Sequence, residues 1–164
     1  MQTPRAFFVP ALLAVAALAT CGSSDDDQPV PPVAVAVGDT VALTVAGSVL
    51  SFDRATPATL KGSIAVSGLL PNEKLVGLDI RPADGLLYAL SNQARLYTLN
   101  AATGVATFRA ALSAAAGDDN PYTALTGSQF GVDFNPVADR LRVVSDTGLN
   151  LRIDVTTGAT SPTA

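Results

Sequence analysis

The chain has 164 residues, ten basic against fourteen acidic and no histidine, for a formal net charge of −4. That length suits one domain, the lack of any Lys/Arg run removes the electrostatic footprint of a nucleic-acid binder, and the missing histidine excludes Ser-His-Asp triads, imidazole metal sites and histidine general bases. Hydrophobic residues make up 48% with few aromatics, 13 Gly and 11 Pro, the mixture that many short strands between turns produce.

In chain order, Arg5 precedes a fifteen-residue apolar block, residues 6–20 (AFFVPALLAVAALAT), interrupted by Pro10. It falls short of the roughly 20 apolar residues of a membrane-spanning helix and fits the hydrophobic region of a secretory signal. Leu18-Ala19-Thr20-Cys21 follows and resembles a bacterial lipobox, with Thr20 where that motif usually carries Gly, Ala or Ser. The resemblance implies a signal peptide over residues 1–20, cleavage before Cys21, and diacylglycerol on the Cys21 thiol. Cys21 is the only cysteine, so no intramolecular disulfide competes for it. The expectation is an exported protein held at the cell envelope by lipid, its membrane partner reached through Cys21. Removing Arg5 with the signal leaves nine basic against fourteen acidic residues. Residues 21–38, rich in Ser, Asp and Pro, read as a flexible tether, and the folded domain is expected over residues 39–164, starting near Asp39 or Thr40.

Within that domain the sequence repeats. Gly77-Leu78-Asp79-Ile80-Arg81-Pro82 aligns with Gly131-Val132-Asp133-Phe134-Asn135-Pro136 at an offset of 54, which holds through Leu87/Leu141, Ser91/Ser145 and Thr103-Gly104/Thr157-Gly158. Phe52-Asp53-Arg54-Ala55-Thr56-Pro57 parallels the later part of both units. Period-2 alternation between turn residues predicts strands at 75–80, 86–90, 95–99 and 105–110, then at 130–134, 140–145 and 150–155. Residues 111–116 are expected to form a short helical turn, followed by a loop at 117–121. The fourth strand of the second unit is expected near Ala159, close to where the sequence stops. The fold expected is all-β, a partial β-propeller-like array of four-stranded blades with about two to two and a half blades present. A closed propeller needs about four to eight blades. The chain therefore reads as truncated at its C-terminus, or as one that completes its ring by oligomerising with other chains.

The runs Phe130–Pro136, Asp139–Ser145 and Asn150-Leu151-Arg152, with Leu75–Pro82 and Leu87–Leu90, resemble a secreted bacterial family known as domain of unknown function 4394. The resemblance covers roughly residues 40–160. It implies a propeller-like repeat fold and carries over no catalytic residue.

The candidate site lies in the second unit. Arg140 and Arg142 share one face of their strand, while Leu141 and Val143 take the other; Asn150, Arg152 and Asp154 alternate in the same way with Leu151 and Ile153. A hairpin would gather the guanidiniums and the Asn150 amide on one face, suited to a carboxylate, sulfate or sugar acid. Alternatively these arginines pair with Asp133, Asp139 and Asp154 between adjacent blades. Asp118-Asp119-Asn120 lacks the spacing of a calcium loop and reads as a solvated loop. Asp79 and Asp133 precede X-Pro turns and read as turn-bonding residues. Ser67 and Ser145 have no base partner. No catalytic residue, metal site or cofactor is expected. The leading functional reading is a binding or scaffolding module at the envelope, taking a protein or an anionic small molecule. The alternative is a periplasmic hydrolase or lactonase-like enzyme, disfavoured by the absence of His and the presence of a single Glu, Glu73.

Overall fold

The structure is a computed structural model and describes residues 33–162. The signal segment, Cys21 and the first part of the tether lie outside the described residues. The described chain is all-β and contains no helix. Twelve strands form three separate sheets, none of which closes on itself.

The first sheet has three antiparallel strands in the order β1 (Thr40–Leu43), β2 (Ser48–Phe52), β3 (Leu60–Ala65). The middle sheet has four, β4 (Leu75–Ile80), β5 (Leu87–Ser91), β6 (Arg95–Leu99) and β7 (Ala106–Ala111), paired in sequence order. In the last sheet β9 (Phe130–Asn135), β10 (Arg140–Ser145), β11 (Asn150–Ile153) and β12 (Ala159–Pro162) run antiparallel, and β8 (Ser113–Ala114) adds parallel to β12. The expected helical turn at 111–116 is thus replaced by β8. Its backbone is held from outside the segment: Ser113 N donates to Gly158 O at 3.0 Å and Ala115 N to Thr160 O at 3.1 Å. Alanine's local helix preference is overridden by these strand bonds.

The repeat reaches further back than residues 52–57. The hairpins β1–β2, β5–β6 and β10–β11 are built alike. Gly47, Ala94 and Gly148 each adopt positive φ (81, 56 and 87°) and donate N–H to Thr44 O, Ser91 O and Ser145 O at 3.0, 3.1 and 3.1 Å. Glycine takes that conformation at no steric cost; Ala94 pays for it with its Cβ.

The core explains why the middle sheet has the longest apolar runs. Its β5 is buried at every position, whereas β2 and β10 show buried residues only at alternate positions or nearly so. One cluster joins Val49 of the first sheet, with Val41 and Ile64 beside it, to Leu87, Tyr97, Leu99 and Ala106 of the middle one. The other joins Tyr88, Leu90 and Leu96 to Phe134, Leu141, Val143, Leu151 and Ile153 of the last sheet. The middle sheet is therefore covered on both faces, and period-2 alternation survives only in the sheets with one open face.

Inter-sheet contacts are specific. On β4, Asp79 Oδ2 accepts Phe134 N of β9 at 2.7 Å, and its Oδ1 accepts Ile80 N at 2.8 Å. The expected turn-bonding aspartate is thus a bridge between sheets. Gly77 lies so close to β9 that a Cβ there would sit 2.3 Å from Val132 Cγ2. Arg81 reaches across with Nε and Nη2 to the two carboxylate oxygens of Asp139, at 2.8 and 2.5 Å, and with Nη1 to Asp84 at 2.9 Å. This fork holds the Asp139 carboxyl below the usual carboxylate range and raises the Arg81 pKa. Asp139 stands in left-handed backbone (φ 50°) at the repeat position of Gly85 (φ 69°). An aspartate tolerates that conformation better than most residues.

The domain begins before the expected boundary. Val35 N donates to Ala102 O at 2.8 Å and Gly38 N to Ser51 Oγ at 2.6 Å, so the end of the expected tether is bonded to the first two sheets.

Candidate functional site

The outward face of the last sheet carries the sequence-predicted residues. Strand pairing sets Arg142 directly opposite Arg152 on β11 and opposite Asp133 on β9, with Arg140 opposite Asn135. Leu141, Val143, Leu151 and Ile153 point the other way and are fully buried, which fixes the register: a one-residue slip would bury the guanidiniums. Arg140, Arg142 and Arg152, together with Asn135 and Ala138, line a cavity of about 170 Å³.

The arginines differ in their commitments. Arg140 Nη2 lies 3.2 Å from Asp154 Oδ2 and its Nη1 donates to Asp139 O at 3.0 Å. Arg142 Nη1 donates to Asn150 Oδ1 at 2.9 Å, which orients its guanidinium. Among the described residues neither Arg142 nor Arg152 forms an ion pair with a carboxylate. Of the pairings foreseen with Asp133, Asp139 and Asp154, only Arg140–Asp154 forms in this group; Asp139 is taken by Arg81. Like charges directly opposite on neighbouring strands repel. The Arg142–Arg152 pair thus sets two guanidiniums beside a hollow that Arg140 also lines, with Asp133 opposite Arg142 on the same face.

A second cluster was not legible in the sequence. Glu73, in the loop before β4, has no exposed side-chain surface. Its Oε1 accepts Ser91 Oγ at 2.5 Å, and its Oε2 accepts Tyr97 OH at 2.6 Å and Leu70 N at 2.8 Å. Arg95 Nε stands 3.6 Å from Oε1 and donates to Tyr97 OH at 3.0 Å, while its guanidinium lies over the Phe108 ring at 4.1 Å. Burial by itself pushes the Glu73 carboxyl up, but the three hydrogen bonds and the Arg95 charge together hold it below its ordinary value. Burial and the Glu73 carboxylate raise the Tyr97 pKa. These bonds lock the loop to β5 and β6.

Asp118 Oδ1 accepts Asn120 N at 2.9 Å within its own loop. Ser145 Oγ accepts the amides of Thr147 and Leu149, both at 3.3 Å, inside the β10–β11 hairpin.

Compared with known proteins, residues 48–164 match the model of a family described as "Domain of unknown function (DUF4394)". No curated protein and no solved structure matches the chain.

Proposed function

We propose that this chain, which belongs to the family described as domain of unknown function (DUF4394), is an exported lipoprotein whose β-propeller-like array binds an anionic small molecule at the cell envelope without catalysing a reaction. The observation that carries the binding reading is the in-register pair Arg142 and Arg152 over the 170 Å³ hollow, neither side chain being ion-paired to a carboxylate among the described residues. Guanidinium forks bind carboxylate and sulfate with two parallel hydrogen bonds, which makes a uronic acid or a similarly sized oxyanion the class of ligand. The non-catalytic reading is supported by the lack of histidine and by the internal commitment of the only glutamate. The propeller-like reading is supported by three stacked sheets with the same hairpin geometry.

Calorimetric titration of the full chain with galacturonate tests the binding site. Saturable binding is expected, weakened about tenfold or more in Arg152→Ala, a loss of about 1.4 kcal/mol or more. The same substitution should leave the urea midpoint almost unchanged, because surface changes away from buried partners stay within about 0.5 kcal/mol. Equal affinity in wild type and Arg152→Ala would refute the site. The anchor rests on the Leu18–Cys21 box. Cells fed a fatty-acid analogue should label the wild-type chain and leave Cys21→Ser unlabelled; equal labelling would remove the lipoprotein reading.

A further inference from the structure

The three sheets are not equally complete. In the middle sheet β5 has β4 on one side and β6 on the other, and in the last sheet β10 lies between β9 and β11. The hairpin geometry makes β1 the counterpart of β5 and β10, but β1 pairs only with β2. Residues 33–39 do not supply a neighbour on that side, since Val35 and Gly38 are bonded towards Ala102 and Ser51. Among the described residues the first sheet thus has no counterpart of the leading strand seen in both other sheets, and one edge of β1 is open.

The surroundings of that edge carry the imprint of a strand. Where the middle and last sheets meet, Val132 and Phe134 of β9 are covered by β4: Gly77 makes room for Val132, and Asp79 accepts Phe134 N. The offset of 54 makes Leu78 and Ile80 of β4 the counterparts of Val132 and Phe134. Phe134 is 4% exposed, whereas Ile80 is 51% exposed and its amide turns back to the side chain of Asp79. On β1 itself, Thr44 N donates to Ser48 O, so in the alternating antiparallel pattern the N–H groups of Val41 and Leu43 point away from β2, towards the open edge.

We infer that the β1 edge is a strand-acceptor site for a partner polypeptide, one that presents an extended segment of the pattern apolar-Gly-apolar-Asp-apolar. Both leading strands of this chain show the pattern, as Val76-Gly77-Leu78-Asp79-Ile80 and Phe130-Gly131-Val132-Asp133-Phe134. The segment runs antiparallel to β1 and completes the first sheet by main-chain hydrogen bonds, the mode of β-strand addition. Its glycine lies against Leu78 and its carboxylate receives Ile80 N, as Gly77 and Asp79 do one sheet further on. Continuity with that existing interface specifies the partner: a bulkier residue at the glycine position has no room, and a residue without an acceptor at the aspartate position cannot draw the Ile80 amide from Asp79 Oδ1 into a bond across the sheets.

The test uses a fluorescein-labelled peptide with the sequence of residues 128–136 and fluorescence anisotropy with the full chain. Saturable one-to-one binding is expected, weakened about tenfold or more when the peptide carries Gly131→Val or Asp133→Ala, which has no side-chain acceptor. In the chain, Leu43→Pro removes one edge N–H without touching a bond to β2, and proline is tolerated at such edges. It should abolish peptide binding while the far-UV circular dichroism spectrum stays that of the wild type. If Leu43→Pro does not fold, the two peptide variants decide. Absence of saturable binding, indifference to both peptide variants, or equal binding by folded Leu43→Pro would overturn the inference. So would a dimer of the chain that the peptide does not displace, since the edge would then belong to a second copy.

Discussion

Replacing Glu73 with alanine is expected to lower folding stability at neutral pH by about 3 kcal/mol, measured by urea denaturation. The carboxylate accepts Ser91 Oγ, Tyr97 OH and Leu70 N, and Arg95 stands beside it. Removing it leaves buried donors without partners, each at a cost of about 1–3 kcal/mol. Removing one member of a truly buried ion pair costs about 3–5 kcal/mol. The Arg95 side chain is 26% exposed, so water relieves part of that cost and the lower end applies. The effects share one network and do not add. Glu73→Gln keeps the shape, retains one oxygen acceptor and should lose less. The pH dependence follows from the lowered pKa of this carboxyl. A group whose folded pKa lies below its unfolded value stabilises the fold fully above the unfolded value, and that contribution fades as pH falls through the folded one. With an ordinary value of 4.5, the gap between wild type and Glu73→Gln should be full at pH 7 and shrink as acid is added below about 4.5. A gap independent of pH would show that the carboxylate charge plays no part.

The second large effect is expected at Gly77. A Cβ there meets Val132 Cγ2 at 2.3 Å and Val132 Cβ at 2.9 Å, so Gly77→Ala must push β4 and β9 apart. That displacement would also stretch the bond from Phe134 N to Asp79 Oδ2. Overpacking of this kind costs about 1–3 kcal/mol, and the upper end applies because the inter-sheet bond is strained as well. Val132→Ala alone should cost about 1 kcal/mol, as its side chain is only partly buried. Combined, the two should be less destabilising than their sum by about 1 kcal/mol, since losing Cγ2 removes the 2.3 Å contact and leaves only the 2.9 Å contact with the Cβ of residue 132. Strict additivity would mean that Gly77 is not held by close approach.

Several parts of this architecture are legible in the residues alone. Apolar runs between turn residues locate β4, β6 and β10 to the residue and β5, β7, β9 and β11 within two residues, and in the last sheet alternation with an open polar face adds to that signal. The same alternation puts Arg140, Arg142 and Arg152 on one side, and the structure sets Arg142 and Arg152 directly opposite each other. The 54-residue offset reveals two of the three repeating sheets. The first sheet is harder to see because its described residues carry no Gly-x-Asp signature, which in the other two sheets resides in the leading strand.

Other features depend on distance in sequence. Glu73 meets Ser91 and Tyr97 at separations of 18 and 24 residues, and nothing in the pattern around Pro71-Asn72-Glu73-Lys74 marks the glutamate as buried. One signal is present: it is the only glutamate of the chain, and it stands beside a predicted strand whose neighbours supply hydroxyls. Arg81 and Asp139 are 58 residues apart, and each departs from its repeat counterpart, Asn135 and Gly85. Paired departures of opposite charge are the trace this contact leaves in the sequence.

What the sequence by itself determined is local: period-2 strands, turns at glycine and proline, an all-β class, and membership signals for the family whose model matches residues 48–164. These follow from preferences of a few neighbouring residues, which act wherever the segment lies. Packing between sheets, which no single segment encodes, sets which face of each sheet is covered, that 111–116 gives a strand instead of a helical turn, and that among the described residues one edge of β1 is open. Those outcomes depend on which sheet packs against which, and burial and main-chain pairing such as that of Ser113 with Gly158, 45 residues away, outweigh the small preference of any one segment.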